Sequence, residues 1–256
     1  MKTILLASAA AATLFAAPAF AQDAVGSVGV AYNHAKTEAG AADNDMNGAK
    51  IDGVVATPAF GDWTVTFNAA GTYTDSDFGG DETGLSGAVH LTKAVEDMRF
   101  GGFVSGEELP LGYTLTTFGA EGQKYFDRAT LTGVASYGTA ADADLWTVGG
   151  EAAFYATPAL RLAARASYSD LDVDGASTDG WSAGVNAEYA FAATPYSVYA
   201  GYDRSELEDF DVTVDAFEVG VRYNFGGGLQ ARDRAGANLG RNVNSVLTSL
   251  FRGNVQ

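Results

Sequence analysis

From Ala24 to Phe225 the chain alternates apolar and polar residues with a period of two, the signature of β-strands with two unlike faces. Trp63, Val65, Phe67, Ala69, Gly71 and Tyr73 share one face, while Asp62, Thr64, Thr66, Asn68 and Thr72 share the other. Trp181, Val185, Tyr189 and Phe191 oppose Ser182, Asn186 and Glu188, and Phe217, Val219, Val221, Tyr223 and Phe225 oppose Glu218, Arg222 and Asn224. The pattern predicts twelve strands: 24–35, 47–58, 62–74, 84–93, 98–106, 112–123, 127–138, 144–157, 159–169, 180–191, 196–205 and 214–225. Ten strands remain open, because the alternation of the sixth slips around Thr116-Thr117. A soluble sandwich would alternate in the same way.

The links separate the two architectures. Those after odd-numbered strands (36–46, 75–83, 107–111, 139–143, 170–179 and 206–213) are mostly longer and acidic. Those after even-numbered strands are tight, as in Pro58-Ala59-Phe60-Gly61, Thr157-Pro158 and Ala193-Thr194-Pro195. Short turns at one end and long loops at the other are the asymmetry of an outer-membrane barrel. Aromatics agree. Phe60, Trp63, Phe154, Phe191, Tyr196, Tyr223 and Phe225 lie beside the short turns, and Tyr32, Tyr73, Tyr137, Trp146, Tyr168, Trp181 and Tyr202 beside the longer links. Two aromatic girdles around an apolar band are what two membrane–water interfaces select. The expected fold is therefore an all-β transmembrane antiparallel barrel over 22–225.

The segment Glu218-Val219-Gly220-Val221-Arg222-Tyr223-Asn224-Phe225 resembles the C-terminal insertion signal of Gram-negative outer-membrane β-barrels, with Glu218, Gly220, Tyr223 and Phe225 at its pattern positions. The whole of 24–225 is similar to small porin-like outer-membrane proteins. That resemblance implies a cell-outer-membrane location, recognition by the barrel-assembly machinery, and contact with outer-membrane lipids and lipopolysaccharide. In those barrels the signal is terminal, whereas here 31 residues follow Phe225.

Composition narrows the field. The 256 residues carry a formal net charge of -17 and no Cys. An acidic chain lacks the basic face that a phosphate backbone requires, which argues against nucleic-acid binding. Absence of Cys excludes disulfides, zinc–thiolate sites and thiol nucleophiles. Residues 1–21 read as a secretory signal peptide: basic Met1-Lys2, an apolar run from Ile4 to Ala17, then Ala19-Phe20-Ala21 as a small-residue cleavage box.

Inside a barrel, charges belong in the lumen, because a midplane Arg or Lys facing lipid costs roughly 2–4 kcal/mol. The registers send Lys50, Arg99, Arg128, Arg161, Arg165 and Arg222 inward, together with Asp52, Glu121, Glu151, Glu188, Asp203 and Glu218. Six charges of each sign predict a lumen laced by ion pairs. Two functions fit: a narrow porin-like channel for passive diffusion of small hydrophilic solutes and ions, or a closed structural or adhesive barrel. Channels for acidic sugars would be expected to have a strongly basic lining, which this one lacks. Segments 36–46, 75–83, 107–111, 142–144, 170–179 and 206–213 hold 19 acidic residues against one Lys, which predicts a weak cation bias.

Two motifs suggest calcium: Asp170-x-Asp172-x-Asp174-Gly175 and Asp43-x-Asp45-x-Asn47-Gly48. Alternate carboxylates before a Gly turn can wrap a hard cation, but position twelve is Trp181 or Val54 rather than a bidentate Glu. Solvated acidic loop tips are the plainer reading. No other cofactor is implied. An enzyme is not expected, since the only histidines, His34 and His90, have no Ser nucleophile motif beside them. The tail 226–256 is basic, with Arg232, Arg234, Arg241 and Arg252 against Asp233. Leu239, Val243, Val246, Leu247, Leu250 and Phe251 recur at helical spacing. An amphipathic helix could lie at the periplasmic interface, enter the acidic barrel or dock a partner, and a disordered tail fits as well.

Overall fold

The structure is a computed structural model and describes residues 24–40, 42–77, 80–109, 112–141, 143–173 and 176–239. The expected signal peptide and the apolar positions from Val243 to Phe251 lie outside the described residues. Twelve strands follow one another: β1 (Val25–Ala39), β2 (Ala42–Pro58), β3 (Trp63–Ser76), β4 (Gly80–Val95), β5 (Met98–Glu108) and β6 (Thr114–Tyr125) form one half. The other half is β7 (Ala129–Ala140), β8 (Ala143–Thr157), β9 (Leu160–Val173), β10 (Ala176–Ala190), β11 (Tyr196–Leu207) and β12 (Val212–Phe225). A short helix, α1 (Leu229–Arg234), comes after them.

Each strand pairs antiparallel with its sequence neighbours, and β1 pairs with β12 from Gly26↔Phe225 to Ala39↔Val212, so the sheet closes without an edge. Closure is what hydrocarbon demands, because no backbone group can be left for water to satisfy. Both strand termini of the barrel, Val25 and Phe225, lie at one end, called here the inner end.

The alternation maps onto the wall as expected along the middle of each strand. Val30, Val198, Val221, Phe67 and Leu162 face outward and are exposed, while Ser27, Thr66, Ser182 and Ser197 face inward and are buried. In the outer girdle, Tyr32 donates to Asn47, Tyr137 to Asp144 and Tyr202 to Asp215, each across one hairpin and one step toward the outer end. Each phenol ties a belt aromatic to the polar rim above it, the amphipathic role that selects Tyr at such interfaces.

The loop asymmetry is not there. Strands run to within two to five residues of one another at both ends. All strands but the 11-residue β5 run to 12–17 residues, beyond the ~9–11 a bilayer needs, so the barrel continues past the outer girdle as a protruding cylinder. What the sequence offers as acidic loops is strand whose polarity has reversed. In the membrane belt the outside is apolar and the inside polar. Above it, exposed Asp170 and Asp172, which is half-buried, point out while Leu171 between them points in and is buried. Leu145 between Asp144 and Trp146, and Leu207 between Glu206 and Glu208, follow the same rule. A cylinder wetted on its outside obeys the pattern of a water-soluble barrel.

Candidate functional site

The candidate site is the lumen, which divides into three levels. In the lower and middle part, eleven of the twelve charged residues expected inside do face inward. Arg222 on β12 reaches Glu188 on β10 at 3.0 Å and Asp52 on β2 at 3.7 Å, with its guanidinium 3.8 Å over the Tyr199 ring. Lys50 pairs with Glu218, Arg161 with Glu151, and Arg165 with Asp203. Arg161 also donates to Asn186 at 2.7 Å, and His90 Nδ1 lies 2.8 Å from Glu121. Several of these pairs join strands that are two apart in the sheet, a span that only inward-pointing side chains can make. Lys50, Arg161, Arg165 and Arg222 are each matched by a carboxylate, whereas Arg99 donates to Tyr125, Thr92 and the Arg234 carbonyl. Breaking such a buried ion pair is costly because one charge is left uncompensated.

Arg128 is the exception. It occupies the exposed turn before β7, donating to the carbonyls of Tyr155 and Ala156 and lying 5.6 Å from the Phe154 ring. Its parity is that of the inward face, but the ladder begins one residue later, at Ala129. Within the proposed assembly signal, Glu218 is buried against Lys50, Tyr223 is exposed on the outer face, and Phe225 ends β12. A Cβ at Gly220 would stand 2.5 Å from the Tyr199 ring, so glycine there makes room for an inward aromatic.

The described residues of the calcium candidates lie on strands rather than in loops. Asp43, Asp45 and Asn47 lie on β2, and Asp170 and Asp172 on β9; Asp174 lies outside the described residues. Alternate side chains on an extended strand are ~7 Å apart on a flat face, so they cannot wrap an ion as a loop does. Among the described residues no group of three or more His, Asp or Glu could hold a metal. His34 points outward beside Asn47 at 3.2 Å, and His90 is wholly buried between Glu121, Asn68 and the Phe103 ring.

The inner end is filled by the chain's own tail. After β12, Gly226 adopts φ +79, a left-handed conformation in which a Cβ would also meet Val25 at 2.3 Å. The chain then turns into the barrel. Helix α1 is only Leu229–Arg234, upstream of the apolar spacing read from sequence. Arg232 and Asp233 are each 1% exposed. Arg232 donates to Glu188 at 3.2 Å, and Asp233 accepts from Tyr155 at 2.6 Å and from Gln123 at 3.4 Å. Arg99 donates to the Arg234 carbonyl at 3.0 Å, and Thr66 to the Gly236 carbonyl at 3.2 Å. Gly236, at φ +90, lets the chain pass the Arg99 guanidinium. Ala237 and Leu239 are completely buried. Contacts to β3, β5, β6, β8 and β10 surround the segment, which therefore occupies the inner mouth. Tyr125, Tyr155 and Gln123 are the residues that sequence reasoning missed. Two aromatics in phase with Glu121 and Glu151 were the available signal.

At the outer end the lining turns apolar. Leu115, Ala140, Leu145, Leu171 and Leu207 form one buried cluster along β6 to β11, and Ala35, Met46, Val214 and Ala216 form another across β12, β1 and β2. Between the two closures, Ser86, Ser105, Ser136, Thr147 and Ser167 are half-buried and point inward. These five form a hydroxyl belt on the inner wall.

No protein-family model and no curated protein matches the sequence. Solved structures do match its shape. A COG4313 outer membrane channel from Pseudomonas putida F1 superposes with a TM-score of 0.66 at 13% identity, covering 80% of this chain and 97% of that one. The CymD monoaromatic hydrocarbon channel gives 0.54 at 8% identity over 78% and 88%. The KdgM porin, in complex with disordered oligogalacturonate, gives 0.50 at 10% identity over 77% and 99%. At such identities the likeness is one of fold. The chain shares the closed antiparallel β-barrel fold of these outer-membrane proteins.

Proposed function

We propose that the protein is a passive channel of the bacterial outer membrane for small hydrophilic solutes, held shut in this structure. The polar, charge-balanced lumen carries the reading: a barrel serving only as a scaffold has no need of paired charges and a hydroxyl belt where apolar packing would serve as well. The acidic outer rim supports a weak cation bias for whatever ions pass. Export by the 1–21 leader, with Glu218 to Phe225 read by the assembly machinery, belongs to the same proposal. The described part of the tail, docked in the inner mouth, is its closure.

A second reading has its own support. Both mouths are occluded by buried side chains, which also suits a closed structural or adhesive barrel. Planar-bilayer recording of the full chain under a salt gradient separates the two. The channel reading expects discrete openings, more frequent in an Arg232→Ala/Asp233→Ala variant, with a reversal potential shifted toward cations. Silence from both forms, each folded and inserted, would leave the structural reading.

A further inference from the structure

The outer mouth is not the acidic funnel that the sequence suggests. Most of its carboxylates are carried on the outer wall or the rim; Glu107, buried opposite Leu115, is the exception. From β6 to β11 four leucines stand at inward positions of that level beside Gly138, Thr178 and Gly180. Leu115 lies over Gly138, where a Cβ would stand 3.0 Å from its Cδ1. Leu145 is the cross-strand partner of Gly138 and Leu171 that of Leu145, while Leu207 faces Gly180 on the strand between it and β9. Glycines on the intervening strands thus let large side chains lie against each other in an unbroken arc. Leu115 and Leu145 are 3% exposed, Leu171 7% and Leu207 8%. Side chains lining open water would be wetted, so these four leucines are packed against their neighbours and keep water from that arc of the wall. Met46 and Val214 continue the apolar lining on the far side.

We propose that this leucine layer is the permeation filter of the channel, a barrier that hydrated ions cross poorly and uncharged solutes cross more readily. The inference rests on the channel reading. Its physical basis is that an apolar constriction excludes water without blocking the backbone path, and an ion must shed its hydration to pass. The acid–Leu–acid spacing is then a two-faced device, with carboxylates keeping the protruding cylinder soluble and leucines drying its inside.

The test records full-length protein carrying the unlatching pair Arg232→Ala/Asp233→Ala, with and without Leu145→Ser/Leu207→Ser. A wetted mouth should raise ionic conductance about tenfold. The reversal potential should stay where it was, because no charge is added. Swelling of proteoliposomes in an uncharged five-carbon sugar should change far less. Leu145→Met/Leu207→Met, which keeps the layer apolar, should conduct like the unlatched parent. Equal conductance with Leu and Ser at these positions, in barrels that migrate as folded, would overturn the filter while leaving the channel intact. Silence in all forms would overturn the channel reading itself.

Discussion

The hydroxyl of Tyr155 on β8 donates to the carboxylate of Asp233 on α1 at 2.6 Å, in a site where Asp233 is 1% exposed. A buried carboxylate must be met by donors, and here the barrel wall provides them in Tyr155 and Gln123. The tail is therefore docked by specific recognition and not merely by opposite net charge.

Replacing Tyr155 by Phe removes one donor and leaves the carboxylate poorly satisfied, a cost of about 1–3 kcal/mol. The loss should fall on docking and not on the barrel. Trypsin cleavage at Arg232 or Arg234 should speed up by at least about fivefold, since that cost is worth a factor of this order or more in the undocked population. Heat-modifiable migration of the barrel should not change. Protection equal to that of the parent would show that the hydroxyl does not hold the tail.

Glu188 stands between two arginines, Arg222 of the wall and Arg232 of the tail. Glu188→Ala removes the carboxylate that Arg232 meets at 3.2 Å and leaves Arg222 to the more distant Asp52 at 3.7 Å. Removing one member of a buried pair typically costs about 3 kcal/mol or more. Urea unfolding in lipid vesicles should show a clear drop in midpoint, and trypsin should again reach the tail. An unshifted midpoint would mean that water already screens this cluster.

Val221 lies in the outer face between Val30 and Val198 on the neighbouring strands. Val221→Arg should destabilise the inserted barrel by roughly 2–4 kcal/mol. Ser182→Arg, on the inward face, should be borne with a smaller loss on the same vesicle assay. Equal penalties would contradict the assignment of faces.

Much of this was legible in the sequence. Period-two alternation carries strand count, face and closure, since Trp63, Phe67 and Tyr73 can only be outside if Thr66 and Thr72 are inside. The outer cylinder was not legible for a physical reason. Above the membrane both solvent and core change sides, so Asp170-Leu171-Asp172 looks like an acidic loop, or half a calcium site, when it is strand. Arg128 has the correct phase for the lumen, but phase says nothing about where a ladder starts. Partners such as Arg165 and Asp203 meet across a strand, a relation set by register and curvature. The docked tail was foreshadowed only by its charge, because Tyr125, Tyr155 and Gln123 come together from separate strands around one helix.

The central claim is that residues 229–239 close a polar lumen. Because the chain contains no Cys, a single Ser136→Cys places a thiol in that lumen against a silent background. The measurement is its rate of modification by a charged, membrane-impermeant thiol reagent added from the inner side, with and without Arg232→Ala/Asp233→Ala. Slow labelling in the latched protein and a rise of about tenfold or more on unlatching is the predicted result, the acceleration reflecting the larger open population. Equal labelling in both forms, fast or absent, would contradict it.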